Sequence, residues 1–127
     1  MSDTISFENV RLVPANVPDA VTLINAFTVP VEESEQFLFR WKDNARIMAA
    51  QPGFIRAVMY QSLDDQAELR FIQLTAWESG TALDKARTNP EWRASVQRML
   101  ADEKLHLKAR PVVYTVALDI HPGDTLE

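Results

Sequence analysis

From Val21 to Pro30 the chain alternates, with Val21, Leu23, Phe27 and Val29 on one face and Asn25 in their midst. A period of two predicts a half-buried strand. Asn25 is the anomaly, because a buried amide without a partner costs about 1–3 kcal/mol; protein or ligand should satisfy it. The period then lengthens. In PVEESEQFLFRWKDNARIMAAQ, Phe37, Trp41, Ala45 and Met48 form one helical stripe, and acidic residues occupy the first turn, where the helix dipole favours them. Pro52-Gly53 closes this helix. FIRAVMYQSL and ELRFIQLTAWES read as strands joined into a hairpin through residues 64–67. Ser79 is positioned to cap a short helix in TALDKARTN, and Asn89-Pro90 to start another, with Trp92, Val96, Met99 and Leu100 as its apolar stripe. PVVYTVALDI reads as the last strand.

The resulting order is β-α-β-β-α-β with the second helix broken in two. That predicts an α+β, ferredoxin-like domain over residues 20–120, with helices on one face of an antiparallel sheet. An extended N-terminal arm over residues 1–19, broken by Pro14 and Pro18, would precede it; its segment FENVRLV could form a short strand. A loose tail over residues 121–127 would follow. The sheet face away from the helices is apolar too, with Ile24, Ala26, Ile72, Leu74 and Ala76. An open apolar face of that size implies a partner, and face-to-face homodimerisation buries two copies at once.

Composition narrows the function. The 127 residues carry a formal charge of −5, which argues against nucleic acid or an anionic membrane as partner. There is no cysteine, which removes disulfides, thiolate metal sites and thiol nucleophiles. His106 and His121 are the only histidines, too few for a multi-histidine metal site within one chain. The N-terminus lacks the features of a secretory signal, and no apolar run approaches the ~20 residues of a membrane span, so a cytoplasmic protein is expected.

Taken in order, VTLINAFTVP, the QPGF turn, MYQSL and the strand end TAWES resemble the antibiotic biosynthesis monooxygenase domain, a dimeric α/β barrel. The resemblance spans roughly residues 20–119. It implies oxidation of a phenolic, hydroquinone or polyketide-like ring by molecular oxygen without metal, flavin or haem. A strand asparagine and a tryptophan near the end of the third strand line the pocket in such proteins, and Asn25 and Trp77 match them. A related branch degrades haem through a histidine in the second helical region. Counted from the W-x-S motif, that position falls near Val96, an aliphatic residue that cannot ligate iron. A non-catalytic small-molecule-binding dimer on the same scaffold is the competing reading, since fold alone does not fix function.

Direct reaction of a phenol with oxygen becomes feasible once the phenol is a phenolate able to pass one electron to oxygen. Fixed, uncharged donors in a dry pocket suit that chemistry. Asn25 and Trp77 are therefore the catalytic candidates. Gln73 and Thr75 share the inward phase of Trp77 and join as substrate-binding candidates, with Phe37 and Trp41 as an aromatic wall. Tyr60 and Arg56, in phase on the second strand, could contact a substrate oxygen. For each, ordinary packing or an exposed edge is the competing account.

Overall fold

The computed structural model describes residues 18–127. Over them the chain runs β1 (Val21–Thr28), a 3₁₀ turn at Val31–Glu33, α1 (Ser34–Ala49), β2 (Phe54–Gln61), β3 (Phe71–Trp77), α2 (Gly80–Ala86), α3 (Pro90–Leu100) and β4 (Lys108–Tyr114). The strands form one antiparallel sheet in the order β2-β3-β1-β4. This is the ferredoxin-like order expected from the sequence, with the second helical region split as Asn89-Pro90 foretold. The arm expected over residues 1–19, its FENVRLV strand included, lies outside the described residues but for its last two positions.

Local chemistry places the helices. Ser79 Oγ accepts from Ala82 N–H at 3.0 Å and caps α2, while Asn89 Oδ1 accepts from Trp92 N–H at 3.0 Å and caps α3. These are the side-chain partners that orphaned N-terminal amides need. Between α1 and β2 the chain turns at Gly53, whose φ of 86° is accessible to glycine without strain. A Cβ at Gly53 would lie 2.5 Å from Ala82 Cβ, so α2 packs directly against this turn.

β4 departs from the sequence reading. It begins at Lys108, before PVVYTVALDI, and ends at Tyr114. Its partner explains both limits: Thr28 pairs with Lys108 and Thr22 with Tyr114, so β1 offers almost nothing further to bond. Val116, Leu118 and Ile120 continue the alternation beyond the ladder and are exposed.

The inner sheet face is apolar at its two ends and polar between them. At one end Phe27 and Phe71 join Phe37, Trp41, Trp92, Val96 and Met99. Phe37 stacks on Phe71 with centroids 4.6 Å apart and on Trp41 at 5.7 Å. At the other end Val21 and Trp77 pack with Leu83 and Ala86 of α2. Between these clusters β1 presents Leu23 and Asn25, and β3 presents Gln73 and Thr75. Asn25, Gln73 and Thr75 are buried.

The outer face carries an aliphatic row across all four strands. Val58 pairs with Leu74, Leu74 with Ile24, and Ile24 with Val112. Direct cross-strand partners project to the same side, so these side chains form one continuous strip.

Candidate active site

A cavity fills the gap between the two inner clusters. It encloses about 580 Å³ of space, its open mouth included. The sheet supplies Leu23, Asn25, Phe54, Ala57, Gln73, Thr75 and Pro111; α1 supplies Trp41, Asn44, Ala45 and Met48. Leu83 of α2, Arg87 just beyond it and Trp92 of α3 close the remaining wall.

Two cavity-lining groups are buried without a hydrogen-bond partner among the described residues: Asn25 Oδ1, an acceptor, and Trp41 Nε1, a donor. The contrast with Asn44 is instructive. Asn44 lines the same cavity, but its Oδ1 accepts from Ser95 Oγ and its Nδ2 donates to Met99 Sδ at 3.4 Å. Asn44 ties α1 to α3 and is a satisfied structural amide, the ordinary fate of a buried polar group. Asn25 is the exception to that rule. Its unmet acceptor and the unmet indole N–H of Trp41 are what a cavity would hold in readiness for a ligand that both donates and accepts.

The model of the antibiotic biosynthesis monooxygenase family matches residues 20–98. The chain belongs to the antibiotic biosynthesis monooxygenase family. Among solved structures, it is similar to a protein of Shewanella loihica PV-4 provisionally described as a monooxygenase, with 28% identity and a TM-score of 0.65 over 80% of this chain and 97% of that one. It shares the fold of SnoaB, a cofactor-independent oxygenase from Streptomyces nogalater, at 23% identity and a TM-score of 0.68, again over 80% and 97% of the two chains. It is also similar to MhuD, solved as a point mutant with two manganese protoporphyrin IX molecules per active site, at 26% identity and a TM-score of 0.62 over 80% and 98%. No curated protein matches the chain.

Within this monooxygenase-family fold the candidate residues separate. Asn25, Trp41, Gln73 and Thr75 converge on the cavity. Trp77 does not reach it. Its ring is fully buried behind Phe54, which it meets edge-on at 5.5 Å, and packs with Leu83; those two residues form the cavity wall in front of it. Trp77 Nε1 is likewise buried without a partner among the described residues. Phe37 is also sealed in the core, between Phe71 and Trp41. Arg56 and Tyr60 lie on the opposite sheet face, for Arg56 pairs with Ala76 and Tyr60 with Ile72, both outward. An irregularity between Phe54 and Arg56 sets that phase, and β2 turns Ala57 to the cavity instead.

Pattern reading passed over Asn44, Arg87 and Leu83. Asn44 follows Trp41 by three and precedes Met48 by four, so the α1 stripe would have included it had only apolar residues not been sought. Arg87 falls in the break between α2 and α3, where no periodicity operates. Val96, near the position expected for the haem-branch histidine, is a core residue and does not line the cavity. His106 sits apart, exposed, with its backbone N–H and Nδ1 both within 2.8 Å of the Glu33 carboxylate.

Proposed function

We propose that this chain is a monooxygenase that oxidises a phenolic or hydroquinone ring with molecular oxygen and needs no bound cofactor. The observation that carries the reading is the pair of unpartnered buried atoms lining one cavity, Asn25 Oδ1 and Trp41 Nε1. A phenol hydroxyl fits that pair, donating to Asn25 and accepting from the Trp41 indole. The hydroxyl proton passes to water at the cavity mouth, which later returns one to the peroxide, and rotation of the Asn25 amide presents its N–H to the oxyanion. Donors held in a water-poor site stabilise developing charge more than water can. The aromatic and aliphatic walls, Trp41, Trp92, Phe54, Leu83 and Met48, suit a flat ring.

The reaction balances without an external reductant. The phenolate gives one electron to oxygen, and the radical pair combines at a ring carbon that bears hydrogen, para to the oxygen in a phenol and ortho to it in a hydroquinone. The resulting hydroperoxide loses water to leave a quinone. One oxygen atom enters the ring; the other leaves as water.

A histidine-ligated haem does not suit this cavity, which no histidine among the described residues lines. Trp77 is assigned a positioning role, backing Phe54 and Leu83. The protein acts as a homodimer in the cytoplasm in this reading. The aliphatic row Val58–Leu74–Ile24–Val112 supports the dimer, since a second copy laid sheet to sheet would bury it. Among the described residues no helix is long and apolar enough to cross a membrane.

The test is oxygen uptake by purified protein with 1-naphthol and 1,4-dihydroxynaphthalene, with isotope-labelled oxygen traced into the naphthol-derived quinone. Label in the quinone above the uncatalysed rate supports the reading. Tight binding of the rings with no uptake would instead make this a small-molecule-binding dimer.

A further inference from the structure

The charged residues of the four described strands are Arg56, Lys108 and Arg110, all basic. All stand on the outer face, since Arg56 pairs with Ala76, Lys108 with Thr28 and Arg110 with Ala26. Arg56 and Arg110 are exposed, and no ion pair among the described residues includes either of them. Two copies laid sheet to sheet would bring these cations together around the aliphatic row Val58–Leu74–Ile24–Val112. Like charges that meet across an interface oppose association. The face therefore calls for a cover that is apolar along the row and acidic at its margins.

The segment after β4 has that composition. Val112 and Tyr114, outward on β4, are followed at the same spacing of two by Val116, Leu118 and Ile120. The last three are exposed at 69%, 70% and 52%, so their own chain does not cover them. No backbone hydrogen bond among the described residues engages residues 115–120. The chain turns only afterwards, at Pro122-Gly123, where Asp124 N–H donates to the His121 carbonyl at 3.0 Å and Gly123 takes a φ of 84°. The apolar segment thus leaves its own sheet before the chain reverses. Apart from His121, the charged residues past Tyr114 are all acidic: Asp119, Asp124 and Glu127. Asp119 has only the exposed His121 ring near it, at 3.8 Å, a weak hold in water.

We propose that residues 115–127 form an exchange arm that docks on the outer sheet face of a second copy of this chain. Val116, Leu118 and Ile120 cover the aliphatic row of the partner, and the acids beside and after them draw to its Arg56 and Arg110. An extended segment with alternate apolar side chains and unpaired backbone groups is a form in which one chain adds to the sheet of another. The proposal rests on the dimer proposed above and names what holds it together: each copy supplies both the basic, apolar face and the acidic, apolar arm, so one two-fold contact satisfies both. Arg56, outward on β2, then serves assembly.

The experiment uses the absence of cysteine from the chain. A full-length copy carrying Leu118→Cys with a nitroxide label is mixed with an unlabelled, isotopically enriched wild-type copy, and the amide signals of the enriched copy are followed by NMR. Only contact between copies can broaden them. Selective broadening at Ile24, Ile72 and Leu74 is expected; an outer face left sharp in a mixed dimer would overturn the proposal. Leu118→Glu, at a site exposed in the single chain, should raise the dimer dissociation constant about a hundredfold in sedimentation equilibrium. Arg56→Gln combined with Arg110→Gln separates the arm from a bare sheet-to-sheet contact. With the acidic arm seated on the face, losing both cations should weaken the dimer about three- to tenfold. Without it, the loss would relieve repulsion, and a tighter or unchanged dimer would overturn the proposal. A Leu118→Glu dimer as tight as the wild type would also overturn it while leaving the homodimer standing. A monomeric wild type would end both.

Discussion

Asn25 on β1 and Gln73 on β3 are direct cross-strand partners, and both side chains turn into the cavity. Two amides thus stand side by side near the centre of an inner face whose ends are built from Phe27, Phe71, Val21 and Trp77. Such partners lie about 4.5–5.5 Å apart at Cβ, close enough to address one ring oxygen together. Yet Asn25 Oδ1 is buried without a partner despite that neighbour. A pair kept only for folding would be expected to satisfy itself.

Asn25→Leu should stabilise the free protein while abolishing turnover. It replaces an unpaired buried acceptor, which costs about 1–3 kcal/mol, with a group of similar size suited to the apolar strand. A rise of several degrees in melting temperature is expected, on the order of 3–6 °C per kcal/mol for a domain of this size. Turnover should fall about a hundredfold or more. Calorimetry and oxygen uptake on the same preparation check both halves. A lowered melting temperature would mean that the amide serves the fold.

Trp41→Phe separates the indole N–H from the ring. The aromatic contacts to Phe27 at 4.9 Å and Phe37 at 5.7 Å are largely kept, and only the unpartnered Nε1 is lost. Melting temperature should stay within about 2 °C, while kcat/KM for the phenol falls about tenfold. Unchanged kinetics would remove Trp41 as the donor.

These residues also mark how far the sequence could be read. The inward phase of Asn25, Gln73, Thr75 and Trp77 was legible because the strands keep a period of two and only one face meets the helices. Which of those residues touch empty space was not. That depends on where α2 lands along the sheet, a tertiary outcome in which Ala82 lies against Gly53 and Leu83 packs with Trp77. Trp41 lines the cavity and Trp77 does not. Arg56 and Tyr60 were misplaced for a different reason. Alternation says that they share a face, but the hairpin and the irregularity near Phe54 decide which one. β4 shows the same limit, for its ends are set by β1 and not by its own composition.

The loop after α3 is held to α1 by Asp102. Its Oδ2 accepts from Gln36 Nε2 at 2.7 Å and Arg40 Nε at 2.8 Å, and its Oδ1 from Lys104 N–H at 2.9 Å. The Arg40 bond foremost, then those from Lys104 and Gln36, lower its pKa from 3.8 to about 2. Folding thus weakens proton binding, so the stabilising contribution is full above the unfolded value and is lost as pH falls toward 2. Asp102→Asn should lower the melting temperature at neutral pH and flatten its decline between pH 4 and 2. Parallel wild-type and variant curves across that range would show that Asp102 does not set the acid sensitivity.

Leu74→Lys should dissociate the proposed dimer. Leu74 stands in the aliphatic row between Val58 and Ile24, so a lysine there would place two charges against an apolar face on association, a cost of several kcal/mol. Sedimentation velocity should show wild-type dimer and variant monomer at micromolar concentration. A monomeric wild type would overturn the assembly. A variant that still dimerises would place the interface elsewhere.

Gly53→Ala tests how the cavity wall is positioned. An alanine there must hold φ near 86°, which costs about 1 kcal/mol or more. Its Cβ also meets Ala82 Cβ at 2.5 Å, so α2 must move outward. Leu83 and Arg87 follow Ala82 closely along the same segment, and both line the cavity. The variant should therefore lose several degrees of melting temperature and also lose affinity for ring ligands. Gly53→Ala combined with Ala82→Gly removes the clash but keeps the strained backbone. It should recover ring affinity while recovering only part of the stability. If the double variant binds no better than Gly53→Ala alone, the wall is not set by this contact.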